Sequence, residues 1–256
     1  MSTVVVNTPR NAKKRPNLTL RKASAKKQKK SKIPRSLVPK AGGPLGNTFS
    51  TVLSFAYSFV MTPESVAGGL AHKYFRANGM YDPTHNDSAT HQPHGFDQLA
   101  LLYSSTVVTA SSITWTIFPQ RTQINVPSGG GSYVLPTTLL WTSCLTKKSE
   151  PYAIPNGQKI ATIMEQPGNK IRAFNEISQP VVMKDRWSAK KKFSFTKTLA
   201  DDTMQGSSIA DPTEAEFFAL ILGPGDDLNT IPATKCSVVI NYACTWFNPK
   251  DLGASN

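Results

Sequence analysis

Residues 238–246, VVINYACTW, lie near the carboxyl end of this 256-residue chain and alternate between two sets of side chains. Successive side chains of a β-strand point to opposite faces of a sheet, so this period of two predicts a half-buried strand of about nine residues. The larger side chains fall on one predicted face: Val238, Ile240, Tyr242, Cys244 and Trp246. This is the clearest element of the sequence, and it predicts a β-rich fold.

The same period recurs upstream, where Leu53–Met61 has its larger apolar residues at odd positions and Val107–Phe118 has a similar alternation. Glu216–Leu222, EFFALIL, is a nearly uninterrupted apolar run, which is typical of a strand covered on both faces. Together with weaker segments these patterns predict about eight strands. The predicted strands are Leu53–Met61, Val107–Phe118, Tyr133–Ser143, Lys159–Met164, Ile171–Phe174, Trp187–Thr196, Glu216–Leu222 and Val238–Trp246.

The composition agrees with an all-β domain, because turn residues recur about every ten positions and no long segment has a helical period. Short helices fit Ala67–Phe75 and Gln98–Tyr103, the second with Asp97 as its N-cap. Eight strands of unequal spacing joined by long loops fit a single eight-stranded, two-sheet jelly roll, and they also fit other Greek-key sandwiches. We expect this domain to occupy residues 47–256.

The positive charge of the chain is concentrated in its first forty residues, which contain no Asp or Glu. The chain has 29 Lys and Arg against 16 Asp and Glu, and removing the thirteen cations of this arm leaves 16 against 16. The thirteen cations are Arg10, Lys13, Lys14, Arg15, Arg21, Lys22, Lys26, Lys27, Lys29, Lys30, Lys32, Arg35 and Lys40. We predict a disordered basic arm and hinge at residues 1–46, since such a segment cannot bury enough apolar surface to fold.

Nucleic acid is the partner that this arm predicts, through phosphate neutralisation with little sequence readout. The arm has no aromatic residue, so base stacking is not expected, and it has no amphipathic pattern for a membrane surface. Lys26–Lys32 also resembles a nuclear import signal, and Ala41–Gly46 fits a flexible hinge. No membrane span or secretory signal is evident, so we expect an intracellular, soluble product.

The four histidines fall within 23 residues and raise the possibility of a metal-dependent enzyme. His91, His94 and Asp97 have a ligand-like spacing only if their segment is helical, and Pro93 and Gly95 argue against a helix there. We therefore expect loop histidines, at His72, His85, His91 and His94, with no metal and no cofactor.

Other catalytic patterns have no support either. Gly129–Gly131 lacks the Lys-Ser/Thr of a phosphate-binding loop, and the adjacent carboxylates Asp201/Asp202 and Asp226/Asp227 fit turns better than acid–base pairs. The three cysteines, Cys144, Cys236 and Cys244, have no metal-ligand spacing and are expected to be small buried hydrophobic residues. We predict that the protein is not an enzyme.

Several stretches of the body resemble the capsid proteins of circular, Rep-encoding single-stranded DNA viruses, circoviruses included. The matching pattern of that family is MYDP, HQP and GFDQ followed by LY, and its end is F-x-x-KDL. In this chain the corresponding stretches are Met80–Pro83, His91–Pro93, Gly95–Gln98 with Tyr103, and Phe247–Leu252, with Asp202–Met204 and Asp211–Glu214 fitting more loosely.

The resemblance implies a jelly-roll subunit that self-assembles into a small icosahedral shell of about sixty copies. It implies that the arm lies inside on a single-stranded DNA genome, that the protein is found in virions and in the host nucleus during assembly, and that import factors and a receptor are possible partners. One departure is that the arm is mostly lysine, whereas circovirus arms are arginine-rich, so packaging is expected to be looser and more sensitive to salt.

Three alternatives remain open at this point. A capsid protein of a small RNA virus would use the same arm, and a cellular nucleic-acid-binding protein with a basic tail would have it without a shell. A metal-dependent enzyme built on His72, His91 and His94 is the third. The role of Lys190–Lys192 is not assigned from the sequence.

Overall fold

The computed structural model describes eight stretches of the chain, which are residues 46–63, 68–85, 91–119, 141–149, 159–175, 178–192, 202–225 and 231–251. In order, the strands are β1 Thr48–Met61, β2 Ala71–Arg76, β3 Tyr103–Phe118, β4 Trp141–Lys148, β5 Lys170–Phe174, β6 Val181–Ser188, β7 Gly206–Ser207, β8 Phe217–Pro224 and β9 Thr234–Pro249. The helices are α1 Phe96–Leu102, α2 Ile160–Met164 and α3 Ala189–Lys192, with a 3₁₀ turn at Asp202–Met204. Residues 1–45 of the predicted arm, the glycine run at 129–131, the first part of the strand predicted at 133–143 and residues 193–201 lie outside the described residues.

The strands form two antiparallel sheets that enclose one main core. Sheet A has the order β1-β9-β3-β6, with the short β7 paired to the start of β3, and sheet B has the order β2-β8-β4-β5. Apart from the β4–β5 pair and the short β7, consecutive strands alternate between the sheets. The last two strands lie between earlier ones, β8 between β2 and β4 and β9 between β1 and β3. Two interlocked four-stranded sheets of this kind are an eight-stranded jelly roll. The predicted fold class is therefore confirmed.

Sheet A is organised around β9, the strand predicted most clearly from the sequence. It pairs with β1 over fourteen residue pairs, from Thr48 with Phe247 to Met61 with Thr234, and with β3 on its other side. The predicted alternation is present, since Val238, Ile240 and Tyr242 are buried while Val239 and Asn241 are exposed. The inward side chains pack against the inner face of sheet B.

Sheet B is covered on both faces at β8, as the apolar run in the sequence predicts. Phe218, Leu220 and Leu222 face the main core, and Ile221 packs on the other face in a separate cluster. The other members of that outer cluster are Leu70, Cys144, Ile160 and Ile163. Residues of α2 thus shield the outer face of sheet B.

Three local predictions are wrong. Residues 71–76 form strand β2 and not a helix, because pairing with β8 supplies backbone hydrogen bonds that a short polar segment lacks alone. The segment predicted as a strand at Lys159–Met164 is helix α2, in which Ile160 and Ile163 share one buried face. Asp97 is not the N-cap of α1, since Gly95 caps this helix in the left-handed conformation, with φ 89°.

The predicted late strand also shifts along the chain. We expected it at Trp187–Thr196, but β6 runs from Val181 to Ser188 and is followed by α3, Ala189–Lys192. Among the described helices, none is long and apolar enough to span a membrane.

Candidate functional site

The first described residue of the chain is held at one end of sheet A. The hydroxyl of Tyr103 donates a hydrogen bond of 3.2 Å to the carbonyl oxygen of Gly46, two residues before β1 begins. Tyr103 is also the first residue of β3 and stacks on Phe49, with ring centroids 6.5 Å apart. The predicted nucleic-acid-binding residues, Arg10 to Lys40, lie outside the described residues, so their binding role stays a prediction.

Two of the stretches that resemble the virus family meet at Asp211. The carboxylate of Asp211 accepts backbone N–H bonds from Tyr81, at 2.9 Å, and from Asp82, at 3.0 Å. The Nε of Arg76 lies 3.4 Å from the same carboxylate, and the hydroxyl of Tyr242 donates to the carbonyl of Arg76 at 2.8 Å. We call these five residues the Asp211 network. It joins the loop after β2 to the loop before β8.

Asn78 forms a second link between the same two loops. Its Nδ2 donates to the carbonyl of Glu214 at 2.7 Å, and its Oδ1 accepts the backbone N–H of Glu216 at 2.8 Å. The backbone N–H of Ala77 donates to the carbonyl of Glu216 at 2.6 Å. Asn78 is 1% exposed, and both polar atoms of its side-chain amide have hydrogen-bond partners inside the protein. These hydrogen bonds fix the geometry of the two loops.

Burial controls the electrostatics of this region. Desolvation raises the pKa of Asp211 above its ordinary value, and the charge of Arg76 and the two backbone N–H donors offset only part of that rise. The ionised carboxylate is therefore costlier in the folded chain than in the unfolded one. Its titration contributes stability that is complete in acid and is lost as the pH rises through the raised pKa.

His85 lies beside this network. Burial lowers its pKa, and Arg76 acts in the same direction while Asp82 opposes it. Its ring packs edge-on against Phe217, with centroids 5.2 Å apart. An open cavity of about 580 Å³ is lined by Arg76, His85, Glu214 and Phe217 among others. The imidazole is neutral at neutral pH and packs as an aromatic ring.

Two further stretches of the resemblance, Gly95–Gln98 with Tyr103 and Phe247–Leu252, also meet, because Tyr103 pairs with Pro249 between β3 and β9. The backbone N–H of Lys250 donates to the carbonyl of Leu102 at 2.8 Å, and its Nζ donates to the carbonyl of Ala100 at 2.7 Å. Phe96 packs edge-on against Trp246, with ring centroids 5.3 Å apart. The chain after β9 is therefore fixed on α1, and its amine satisfies a carbonyl at the end of that helix.

The histidines fall into two pairs, with His72 and His85 beside Tyr74 and His91 and His94 beside β1. His72 is on β2, where its ring lies 5.5 Å from that of Tyr74, whereas His91 packs on Phe55 of β1 at 5.0 Å. His94 precedes the helix, and its backbone N–H donates to the carbonyl of Ser54. Among the described residues, no group of three or more His, Cys, Asp or Glu side chains is arranged to hold a metal ion.

The cysteines are buried and free, as predicted for small hydrophobic residues. Desolvation raises the pKa of Cys144 to about 11, that of Cys236 to about 12 and that of Cys244 to about 11. These thiols are protonated at neutral pH and are poor nucleophiles.

Sequence reasoning missed a charged contact that bridges the two sheets at their β5–β6 side. Asp185 of β6 points inward and is 5% exposed, and its Oδ1 lies 3.1 Å from the Nζ of Lys170 and 3.4 Å from the Nζ of Lys147. The Nζ of Lys170 also donates to the carbonyl of Lys184 at 2.6 Å. Asp185 occupies an inward position of an otherwise alternating strand, and this mismatch is the only signal of the contact in the sequence.

No protein-family model matches the chain, and no curated protein matches it in sequence. Solved structures that match include those of viruses and of viral capsid proteins. The desmodium yellow mottle tymovirus structure is 12% identical, with 84% of this chain and 96% of that chain covered and a TM-score of 0.34. The BFDV capsid protein 60-mer is 9% identical, with coverages of 82% and 100% and a TM-score of 0.39. The T=1 subviral particle of a Penaeus vannamei nodavirus capsid protein deletion mutant is 11% identical, with coverages of 80% and 97% and a TM-score of 0.37.

Proposed function

We propose that this chain is the capsid subunit of a small single-stranded DNA virus, in which residues 47–256 build the shell and residues 1–46 bind the genome. The observation that carries the proposal is the combination of a jelly-roll strand order with forty residues that contain thirteen cations and no acid. Neither half alone is specific. A jelly roll occurs in many proteins, and a basic tail occurs in many nucleic-acid-binding proteins.

The contacts between the stretches that resemble the virus family support the assignment. Met80–Pro83 meets Asp211–Glu214 through the Asp211 network and Asn78, and Gly95–Gln98 meets Phe247–Lys250 through α1. Residues far apart in the sequence thus have a shared structural role. This explains why such stretches occur together in one chain, and it gives the histidine-rich region a role in shaping the subunit.

The arm would bind the genome by phosphate neutralisation and counterion release, without base readout. Sixty copies, the number in the simplest icosahedral shell, would bring on the order of 800 positive charges to the interior. The shell domain has 16 cations against 16 acids, so copies of it do not repel one another through net charge. No catalytic step is assigned, and we take the protein to be a structural one of the virion, with nuclear import through Lys26–Lys32.

Removal of residues 1–40 tests the division of labour between arm and shell. The truncated chain is expected to form round particles of uniform size in electron micrographs, and these particles should lack nucleic acid in their absorbance spectrum. A full-length control with the thirteen cations replaced by glutamine keeps the length of the arm and should also give empty particles. Loss of the folded domain on truncation would contradict the proposal.

The genome type is tested separately. Nucleic acid extracted from purified particles is expected to be degraded by a nuclease specific for single-stranded DNA and to resist ribonuclease. If ribonuclease degrades the extracted nucleic acid, the chain would be assigned to an RNA virus, and its proposed role as a capsid subunit would be unchanged. A protein that sediments only as a small species with nucleic acid bound would instead support a cellular binding protein.

A further inference from the structure

The charges of the shell domain are balanced in number but separated in space. Strands β5 and β6 and helix α3 contain seven lysines and arginines and a single acidic residue, Asp185. We call the cationic edge the six of these cations that are exposed, namely Lys170, Arg172, Lys184, Arg186, Lys190 and Lys191. A domain that is formally neutral therefore has one strongly positive side.

On β5 and β6 the cationic edge is one surface, because these strands end the two sheets and lie opposite each other, and α3 follows β6 directly in the chain. The side chain of Lys170 crosses from β5 to β6, where it contacts Asp185 and the carbonyl of Lys184. A groove of about 790 Å³ lies between the two strands. It is lined by Lys170, Ile171, Arg172, Val182, Met183 and Lys184.

Most of this charge is not used inside the protein. Asp185 is paired with Lys147 and Lys170. Within the part of the chain that the structure describes, Arg172, Lys184 and Arg186 form no ion pair. Lys184 and Arg186 point away from the core on one face of β6, about 6.6 Å apart at about 3.3 Å per residue. These three side chains are available to an external anion.

We propose that the cationic edge is a second nucleic-acid-binding surface, on the shell domain itself, that contacts the phosphate backbone. The groove has exposed aliphatic side chains at Ile171 and Val182 and no aromatic residue, so it favours contacts with sugar and phosphate over stacking of bases. The inference rests on the proposed function in taking nucleic acid as the polyanion. It also assigns a role to Lys190 and Lys191, which the sequence leaves open.

A second copy of the chain is a poorer partner for this surface. The exposed carboxylates among the described residues are Asp97, Glu165, Asp202 and Asp251, and they lie on separate elements. Asp211 is buried and paired with Arg76, as described above. In the described parts of the domain, no surface presents enough carboxylates together to match the cationic edge.

Protection of β5 and β6 against pairing with other chains does not explain all the cations of the cationic edge. Lysines and inward-pointing charges on an edge strand are a common device against aggregation, and Asp185 with its two lysines is one. Such protection needs no guanidinium groups on two strands, and it does not require cations on α3, which is not an edge strand. The cations of the edge that Asp185 does not pair therefore indicate an external ligand. They are Arg172, Lys184, Arg186, Lys190 and Lys191.

The test uses the full-length chain with its thirteen arm cations replaced by glutamine, so that binding by the domain is not hidden. Binding of a fluorescein-labelled 40-nucleotide poly(dT) is measured as a function of salt concentration, on unassembled protein. In this background Arg172→Gln, Lys184→Gln and Arg186→Gln are combined. A matched control keeps the positive charge at each position but changes the side chain, with Lys184→Arg and Arg186→Lys.

Neutralisation of the three cations is expected to weaken poly(dT) binding at least tenfold. It should also lower the slope of log K against log salt by about 2, since each phosphate contact to a single strand contributes about 0.7. The charge-keeping control is expected to bind as the background does. Equal affinity and salt slope in the background, the triple glutamine variant and the control would overturn the inference. So would a control that binds poly(dT) as weakly as the triple glutamine variant, because binding would then not depend on charge. Failure to form particles would count against the proposed function alone.

A second measurement uses the unmodified full-length protein. Lysine acetylation of purified particles, read by mass spectrometry, is expected to leave Lys184, Lys190 and Lys191 protected until a nuclease removes the nucleic acid. Lys235, an exposed cation at the start of β9, serves as the internal reference. Protection that persists after nuclease treatment would mean that another subunit covers the edge, and would overturn the inference.

Discussion

Replacement of Asp211 by alanine tests whether the contacts at this residue hold the two loops together. The substitution removes an acceptor for the backbone N–H groups of Tyr81 and Asp82 and the charge that faces Arg76. Asp97 is a matched control, because it belongs to another stretch of the same family resemblance, is exposed, and makes no side-chain capping bond in α1. From the sequence, Asp97 is the predicted N-cap of a helix and Asp211 fits the family pattern only loosely, whereas in the structure Asp211 makes the contacts and Asp97 is exposed.

The magnitude follows from what is left unsatisfied. A buried donor without an acceptor costs about 1–3 kcal/mol, and this applies to Asp82 but less to Tyr81, which is 38% exposed and can regain water. Arg76 keeps 20% of its side-chain exposure, so the loss of its partner costs less than the about 3–5 kcal/mol of a fully buried pair. The raised pKa of Asp211 shows that its ionised form already bears a desolvation cost, which limits the loss further. We expect about 2–4 kcal/mol in total.

Thermal unfolding followed by tryptophan fluorescence measures this difference. For a domain of about 200 residues, 1 kcal/mol shifts the Tm by about 2–4 °C, so Asp211→Ala should lower the Tm by about 5–15 °C. Asp97→Ala removes only a helix-dipole interaction of about 0.5 kcal/mol and should shift it by no more than about 2 °C. All three chains must sediment as the same species, because assembly itself raises the Tm. Equal shifts for the two variants would refute the reasoning.

Two further predictions concern the core and one loop. The thiols of Cys144, Cys236 and Cys244 should resist a thiol reagent at pH 8 until the chain is unfolded. Burial raises their pKa values to about 11–12, so the free energy of unfolding should fall between about pH 9 and 10 by up to about 1.4 kcal/mol per pH unit per thiol. The triple alanine variant should lose this slope between about pH 9 and 10, below the range in which Tyr242 titrates, and an unchanged slope there would argue against buried thiols. Gly95→Ala should lower stability by about 1–2 kcal/mol at φ +89°, measured by urea unfolding. Gly168→Ala is the control, because Gly168 has φ +83° and an added Cβ would meet no atom within 4 Å. We expect the same loss of stability as at Gly95, since the backbone conformation is similar. A much larger loss at Gly95 would show that the contact of its Cβ with Leu53 matters.

The sequence predicts the long strands well because their inner and outer faces differ in chemistry. Residues 53–61 and 238–246 alternate without interruption, and both lie on one sheet with one face buried. The wrong predictions involve short segments in which tertiary contacts outweigh local preference. In α2 the β-branched residues Ile160 and Ile163 resemble a strand, yet their spacing of three places both against the outer face of sheet B.

The candidate surfaces were less predictable, because they depend on pairings across the sandwich. The cations of β5 and β6 are separated by a loop in the sequence and appear as scattered charges. The contacts of Lys170 with Asp185 and with the carbonyl of Lys184 show that the two strands face each other. The roles of Asp97 and Asp211 differ through burial, which a single sequence does not reveal. The basic arm, by contrast, is recognisable from the sequence, because its thirteen cations lie within forty consecutive residues.

The position of β9 in sheet A has a consequence for how the subunit is made. Its partner β1 begins at residue 48, whereas β9 ends at residue 249, so sheet A cannot close until β9 has been synthesised as well. At about 5–20 residues per second, β1 waits about 10–40 s for its partner. During that time its alternating apolar edge is unpaired and open to pairing with other chains. In the proposed capsid role, translation of β9 therefore sets the earliest moment at which a subunit can join a shell.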